Sequence, residues 1–341
     1  MIPIIDARPL FEPAGPGRDA TDAAILSAAT DSGFMILDHL PPPVPMERLL
    51  RLFDLPAEVT HRLWRQKFAP ENSNVYRGWF PLQDGRPTYK EGLDCGSDVA
   101  HGAGRVQHGD PLTEATPLPP EASLPGWRAD MASYYKAMEA LGLNLLRSIA
   151  RGLKLPEETF TPVFDRGIST LRLLHYPIRP SHSFIGTEAE KIWVQHEGRD
   201  VDLVAAPHID SGFITLLRQH GVSGLQALGR SGEWIDVPPR PDSLVINFGK
   251  LLERWTAGRI KATKHRVIGA GKGAGQARHS VPFFFEPAVD ARIAPIPALG
   301  GDFDPFLYGD LVWDAMMKFV EFEGLDHLRV EKGQKRTQLN V

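Results

Sequence analysis

One cysteine in 341 residues, Cys95, removes two architectures at once. The chain cannot close an internal disulfide, and it cannot build a zinc site from several thiolates. Cys95 lies in "EGLDCGSD" with no adjacent histidine, so no reactive thiol is expected there. Such sparing use of cysteine suits a reducing compartment, and the expected location is cytoplasmic. No run approaches the roughly 18 apolar residues of a membrane span. The opening "MIPIIDARPL" places Asp6 and Arg8 where a signal peptide keeps an unbroken apolar core. A formal net charge of −4 gives neither nucleic acid nor an anionic membrane an electrostatic claim as partner. A phosphate loop is missing too. The tract "IGAGKGAGQ" (268–276) puts Gly273 where Ser or Thr is needed after Lys272, and its spacing does not fit GxGxxG.

What is plentiful is proline and glycine, 30 and 32 residues, which favours short strands and many loops over a helical bundle. The runs 2–5 and 33–39 read as buried strands. Between them "DATDAAILSAATDS" reads as a helix capped by Asp19 or Thr21. Residues 40–45, "LPPPVP", mark a connection, and "PMERLLRLFDLPAEVTHRLW" returns to helical spacing, broken at Pro56. The segment 75–125, rich in Gly, Pro and Asp, reads as long loops. Over 128–153, Met131, Tyr134, Met138, Leu141, Leu145 and Ile149 recur at helical spacing, the mark of a core-packing helix. After Pro162 short β-rich runs follow one another: "STLRLLHY", "KIWVQ", "DLVAA", "FITLLRQ", "LQAL", "EWIDV", "SLVINF", "KHRVIG" and "SVPFFFEP". Strands at this spacing predict an antiparallel sandwich or barrel, followed by a terminal helix, "LVWDAMMKFVEF". The fold class expected is mainly β with flanking helices. We divide the chain into an N-terminal α/β segment, 1–125, packing on a β core, 126–341.

Within "AAPHIDSGFITLL" one feature does not belong to an apolar strand. His208 and Asp210 stand at i and i+2, which on a strand share one face. A solvated strand face has this pattern, and so do two ligands of a metal. Among 12 histidines roughly one His-x-Asp triplet arises by chance, and the chain has two. The other, His108-Gly109-Asp110, runs into Pro111 and reads as loop. A third ligand could come from His265, His175 or His279, all on β-rich runs. Two histidines and a carboxylate on one face of an octahedral ion leave positions open, as in non-haem Fe(II) oxygenases. The same set can hold Zn²⁺ and a water, although no His-Glu-x-x-His supports that version. Arg278 and Ser280 are again i and i+2, and their strand continues as "VPFFFEP", which belongs in a core. A buried arginine needs an anion, and an Arg fork beside a hydroxyl grips a carboxylate well.

In this order and spacing, His208-x-Asp210, His265 and Arg278-x-Ser280 resemble the 2-oxoglutarate and Fe(II)-dependent oxygenases. Within them the chain is similar to the isopenicillin-N-synthase-like branch, which includes thymine hydroxylase and plant oxygenases. "IPIIDARPL", "DSGFMILDHL", "NVYRGWFP", "YKEGLDCG", "LRLLHYP", "HIDSGFITLL", "GLQAL", "KATKHRV" and "RHSVPFFFEP" carry the likeness along nearly the whole chain. The resemblance implies a double-stranded β-helix (jelly-roll) core. It implies Fe(II) on His208, Asp210 and His265, and the distal carboxylate of 2-oxoglutarate on Arg278, Ser280 and Tyr176. The reaction implied is oxidative decarboxylation to succinate and CO₂, coupled to O₂-dependent hydroxylation or a related oxidation of a small molecule.

Two positions depart from the branch. Leu174 stands where plant relatives usually carry Asn, and Lys250 follows "NFG" where Asp is common. The interval between Tyr176 and His208 is also long, and we read "KIWVQ" and "DVDLVAA" (191–206) as a hairpin around His196-Glu197-Gly198-Arg199. As a lid over the substrate, that insertion (185–206) would bring Trp193 and Arg199 to the site. A plain surface hairpin fits the sequence equally well. Parity with Arg278 points Phe284 inward, unless a bulge at Pro282 resets the register. Phe284, Trp193, Tyr76 and Arg77 are the substrate candidates. An oxidase of the same fold that dispenses with 2-oxoglutarate is the alternative function. A binding protein that keeps the fold would be expected to lose a ligand, and none is lost. Neither the substrate nor the oligomeric state can be read from these residues.

Overall fold

The computed structural model describes residues 1–86, 88–107, 109–180, 193–269, 275–319 and 321–333. His108, the glycine tract around Gly271–Gly273 and residues 185–192 of the insertion lie outside that set. In chain order the strands are β1 Ile4–Asp6, β2 Phe34–Asp38, β3 Gly78–Phe80, β4 Glu91–Cys95, β5 Thr170–Tyr176 and β6 Trp193–His196. They continue as β7 Arg199–His208, β8 Ile214–His220, β9 Leu225–Leu228, β10 Trp234–Asp236, β11 Leu244–Phe248, β12 His265–Ile268 and β13 Arg278–Phe285. Two sheets hold them, in the orders β1-β2-β11-β8-β13-β5-β4-β3 and β10-β9-β12-β7-β6. Apart from the parallel pair β1 and β2, every pairing in them is antiparallel. The two sheets curl around a shared interior, the jelly-roll expected. A short pair, β14 Arg292–Ile293 with β15 Phe306–Leu307, precedes the terminal helix Tyr308–Met316.

Alternation decides what each sheet face meets. On β13 the odd residues Phe283 and Phe285 face outward onto a helical layer. Phe283 packs edge-on against Tyr135, and Phe285 stacks on Phe164 at 4.5 Å. The helix beneath is Trp127–Gly152, which buries Met131, Tyr134, Met138, Leu141, Leu145 and Ile149, the stripe its spacing predicts. The fit is close at Gly142, where a Cβ would meet the Phe285 ring at 2.6 Å. Even residues on β13 therefore face the interior. The register to β5 keeps the same offset on both sides of Pro282, from Arg278↔Tyr176 to Phe284↔Thr170, and β8 pairs straight through it, so no bulge at Pro282 resets it.

Three local expectations are corrected. The first helix starts at Pro16, before Asp19 and Thr21, because proline is well placed in a first turn and Gly15 precedes it. Segment 75–125 is not loop throughout, since β3 and β4 extend the large sheet beyond β5. Their high proline and glycine surroundings hide them from a periodicity reading. The third is the strand around His208, which ends there and leaves Asp210 in the turn before β8. No helix among the described residues is long and apolar enough to cross a membrane.

Candidate active site

Antiparallel pairing puts His208, the last residue of β7, directly opposite His265, the first of β12. Their ring centroids are 4.3 Å apart. Asp210 is brought to them by its turn, which β11 clamps. The Lys250 amide donates to the Asp210 carbonyl at 2.8 Å. Gly249 sits so close that a Cβ there would meet the carbonyl oxygens of Gly212 at 2.2 Å and Asp210 at 2.9 Å. Asp210 Oδ1 then lies 3.6 Å from His208 Nε2 and 3.7 Å from His265 Nε2. One ligand atom from each of the three residues fits within 4.8 Å of the others.

The free atoms are the ones a metal uses. His208 Nδ1 donates to the Ala206 carbonyl at 2.8 Å, and His265 Nδ1 to the Thr263 carbonyl at 3.2 Å. Those bonds place each ring hydrogen on Nδ1 and leave both Nε2 lone pairs pointing at the cluster. Asp210 Oδ2 accepts from Thr215 Oγ1 at 2.5 Å and Asn247 Nδ2 at 2.7 Å, which frees Oδ1. Burial pushes the Asp210 carboxyl up, yet His265, His208 and these two hydrogen bonds hold it below its ordinary 3.8. The carboxylate is therefore in the state a cation needs. Thr215 and Gly249 escaped the sequence reading. Asn247 was noticed only in its motif, and its pairing with Thr215 across β11 and β8 gives it a task.

Deeper between the sheets, Arg278 is 4 % exposed and Ser280 2 %. Arg278 Nη2 donates to Gln219 Oε1 at 3.3 Å, and its guanidinium lies 5.4 Å from the Tyr176 ring centre. Its Nε and Nη1 have no hydrogen-bond partner among the described residues. Arg278 and Tyr176 border a cavity of about 970 Å³, shared with Trp193, His196, Asp202 and Arg199. A buried guanidinium with two idle donors at a cavity wall is built to receive an anion. The residues present therefore fit both Fe(II) and the distal carboxylate of 2-oxoglutarate.

The remaining candidates divide. Trp193 borders the cavity, and Phe284 lies in register with Thr215 with its ring 5.4 Å from the Arg172 guanidinium. Tyr76 and Arg77 are not brought to this cavity. Tyr76 stacks on Phe322 at 5.2 Å. Arg77 gives Nη1 to Thr170 Oγ1 at 2.6 Å and Nη2 to the Ile168 carbonyl at 2.7 Å. It borders a separate cavity of about 650 Å³. The insertion forms the hairpin expected, β6 on β7 around Glu197-Gly198, with His196 docked 3.3 Å from Gln226. Leu174 packs with Phe80 and Tyr176. Lys250 opens a short helix and pairs with Glu253 at 3.0 Å.

Residues 171–287 match the model of the 2OG-Fe(II) oxygenase superfamily. The 2-oxoglutarate-dependent dioxygenase imqE of Aspergillus flavus is 32 % identical over 76 % of this chain and 76 % of its own. The proline hydroxylase buaE of Petromyces alliaceus is 31 % identical over 83 % of this chain and 87 % of its own. Among solved structures, a full-length Neurospora crassa protein in complex with alpha-KG superposes with a TM-score of 0.76 at 25 % identity, covering 93 % of this chain and 96 % of that one. The chain belongs to the 2-oxoglutarate and Fe(II)-dependent oxygenase superfamily.

Proposed function

We propose that His208, Asp210 and His265 hold Fe(II), and that Arg278, Ser280 and Tyr176 bind the distal carboxylate of 2-oxoglutarate. The class of reaction follows from the family: a dioxygenase couples decarboxylation of 2-oxoglutarate to the oxidation of a small molecule. Bound Fe(II), with 2-oxoglutarate and O₂, supplies the oxidising power, and the cosubstrate leaves as succinate and CO₂. The residues of this chain supply position and protection. Thr215 and Asn247 orient Asp210, and the carbonyls of Ala206 and Thr263 orient the two imidazoles. Arg278 fixes the far end of the cosubstrate, so its near end reaches the metal in one orientation. Phe284 and Trp193 offer apolar surface that keeps water from the substrate side.

The observation that carries this reading is Arg278, buried with Nε and Nη1 unpartnered among the described residues at the cavity wall. What favours 2-oxoglutarate over the alternative, an oxidase that dispenses with it, is the likeness to 2-oxoglutarate-dependent dioxygenases and to a structure holding alpha-KG. Anaerobic titration of the apo-protein with Fe(II) and then 2-oxoglutarate tests both. The expected result is a visible charge-transfer band that saturates in the wild type and weakens in Arg278→Ala. Fe(II) binding without a band would move the 2-oxoglutarate-free oxidase to first place.

A further inference from the structure

Beside the metal cluster, on the interior face of β4 and β5, the chain buries a second set of charges. Arg172 gives Nε and Nη2 to the two oxygens of Asp94, at 2.5 and 2.8 Å. Arg65 pairs with the same carboxylate from the other side, and is itself covered by the rings of Phe80 and Phe322. Lys90 Nζ lies 3.0 Å from Glu321 Oε1 and 5.7 Å from the centre of the Phe80 ring. Three cations thus share two carboxylates. Arg77 and Glu286 lie near enough to act on this set and add one charge of each sign, so the surplus stays positive.

Uncompensated buried charge is costly, so a surplus buried cation calls for an anion. Exposure shows where that anion would arrive. The side chains of Arg65, Asp94 and Glu321 are at most 8 % exposed, whereas Lys90 keeps 20 % and Arg172 17 %. Of the five, these two cations keep the most exposed side-chain surface. Strand register links Arg172 to the metal cluster. Arg172 lies over Phe284, which pairs with Thr215, the residue bonded to Asp210.

We propose, resting on the iron and 2-oxoglutarate reading above, that the substrate is a small carboxylic acid with an apolar or aromatic body, its carboxylate held by Arg172 and Lys90. Phe80, Phe284 and Leu174 would take the apolar body, so that its carbon skeleton faces the metal.

The test uses the full chain loaded anaerobically with Fe(II) and 2-oxoglutarate, so that the charge-transfer band reports on the cosubstrate before any probe is added. Phenylacetate, 3-phenylpropionate and 4-phenylbutyrate are then titrated beside their methyl esters, following the change each makes in the band. At least one acid is expected to bind tenfold or more tightly than its ester. Arg172→Gln takes one of two cations from Asp94, and Lys90→Met alone would strand the buried Glu321, so Lys90→Met combined with Glu321→Gln is the deciding variant. It should weaken the acid about tenfold while leaving the ester and the 2-oxoglutarate band as they were. Equal binding of acids and esters, equal loss of both in the double variant, or no response to any acid with the band intact overturns the proposal alone. Absence of the band in the wild type removes the iron reading and this proposal with it.

Discussion

Two aspartates stand two residues after a histidine, Asp210 and Asp110, and the fold has made opposite things of them. Asp110 caps a 3₁₀ turn by accepting from the Leu112 amide at 3.1 Å. It also binds Arg329 Nε at 2.9 Å and Lys332 Nζ at 2.9 Å. Its charge is spent on the chain's own cations, which tie the C-terminal segment down. Asp210 instead takes two neutral donors on one oxygen and leaves the other beside two imidazoles. The triplet therefore carries no chemistry of its own. What differs is whether the surroundings neutralise the carboxylate or keep it for a cation.

Asp210→Ala breaks this contrast most severely. One of three ligands disappears, so Fe(II) binding should fall below detection in anaerobic titration and turnover should vanish with it. A variant that still binds one equivalent of Fe(II) tightly would remove Asp210 from the metal. Arg278→Ala comes next. Truncating a buried charge that pairs with a ligand costs about 2–5 kcal/mol, so 2-oxoglutarate should bind roughly 30- to 4000-fold more weakly, with Fe(II) affinity unchanged. Parallel loss of both affinities would mean that the arginine serves the fold. Asn247→Ala is milder, because it leaves all three ligands and removes one bond that orients Asp210. Loss of such a partner lowers metal affinity about 10- to 100-fold. Unchanged Fe(II) affinity would show that Thr215 suffices.

The parts that were legible are those where one strand carries the information. Parity along β13 put Arg278, Ser280 and Phe284 on one face, and β13 pairs with β8 straight through Pro282. The helix stripe from Met131 to Ile149 is likewise local, and it is buried as its period requires. What stayed hidden depends on partners distant in sequence. Thr215 and Asn247 meet at Asp210 only because β11 lies beside β8. Asp94 joins Arg65 and Arg172, and Lys90 joins Glu321, across 29 to more than 200 residues of chain. Arg77 looked like a substrate contact because nothing in its neighbours shows that Thr170 and Ile168 will take its donors.

The smallest effect separates the two aspartates from the other side. Burial raises the Asp110 pKa, but Arg329 and Lys332 outweigh it, so the folded value lies below 3.8. A carboxyl depressed on folding binds fewer protons in the native state than in the unfolded chain. Its stabilisation is complete above pH 4 or so and is lost as pH falls through the lower, folded value. Asp110→Asn keeps the shape, can still accept from Leu112, and removes the charge. It should cost about 1–3 kcal/mol at pH 7, read from denaturant unfolding, and that deficit should shrink as the pH is lowered from about 4 towards 2. The iron and 2-oxoglutarate titrations should be indistinguishable from wild type throughout. If Asp110→Asn instead lowered Fe(II) affinity, the second His-x-Asp would have to act on the metal after all, and the contrast between the two aspartates would fail.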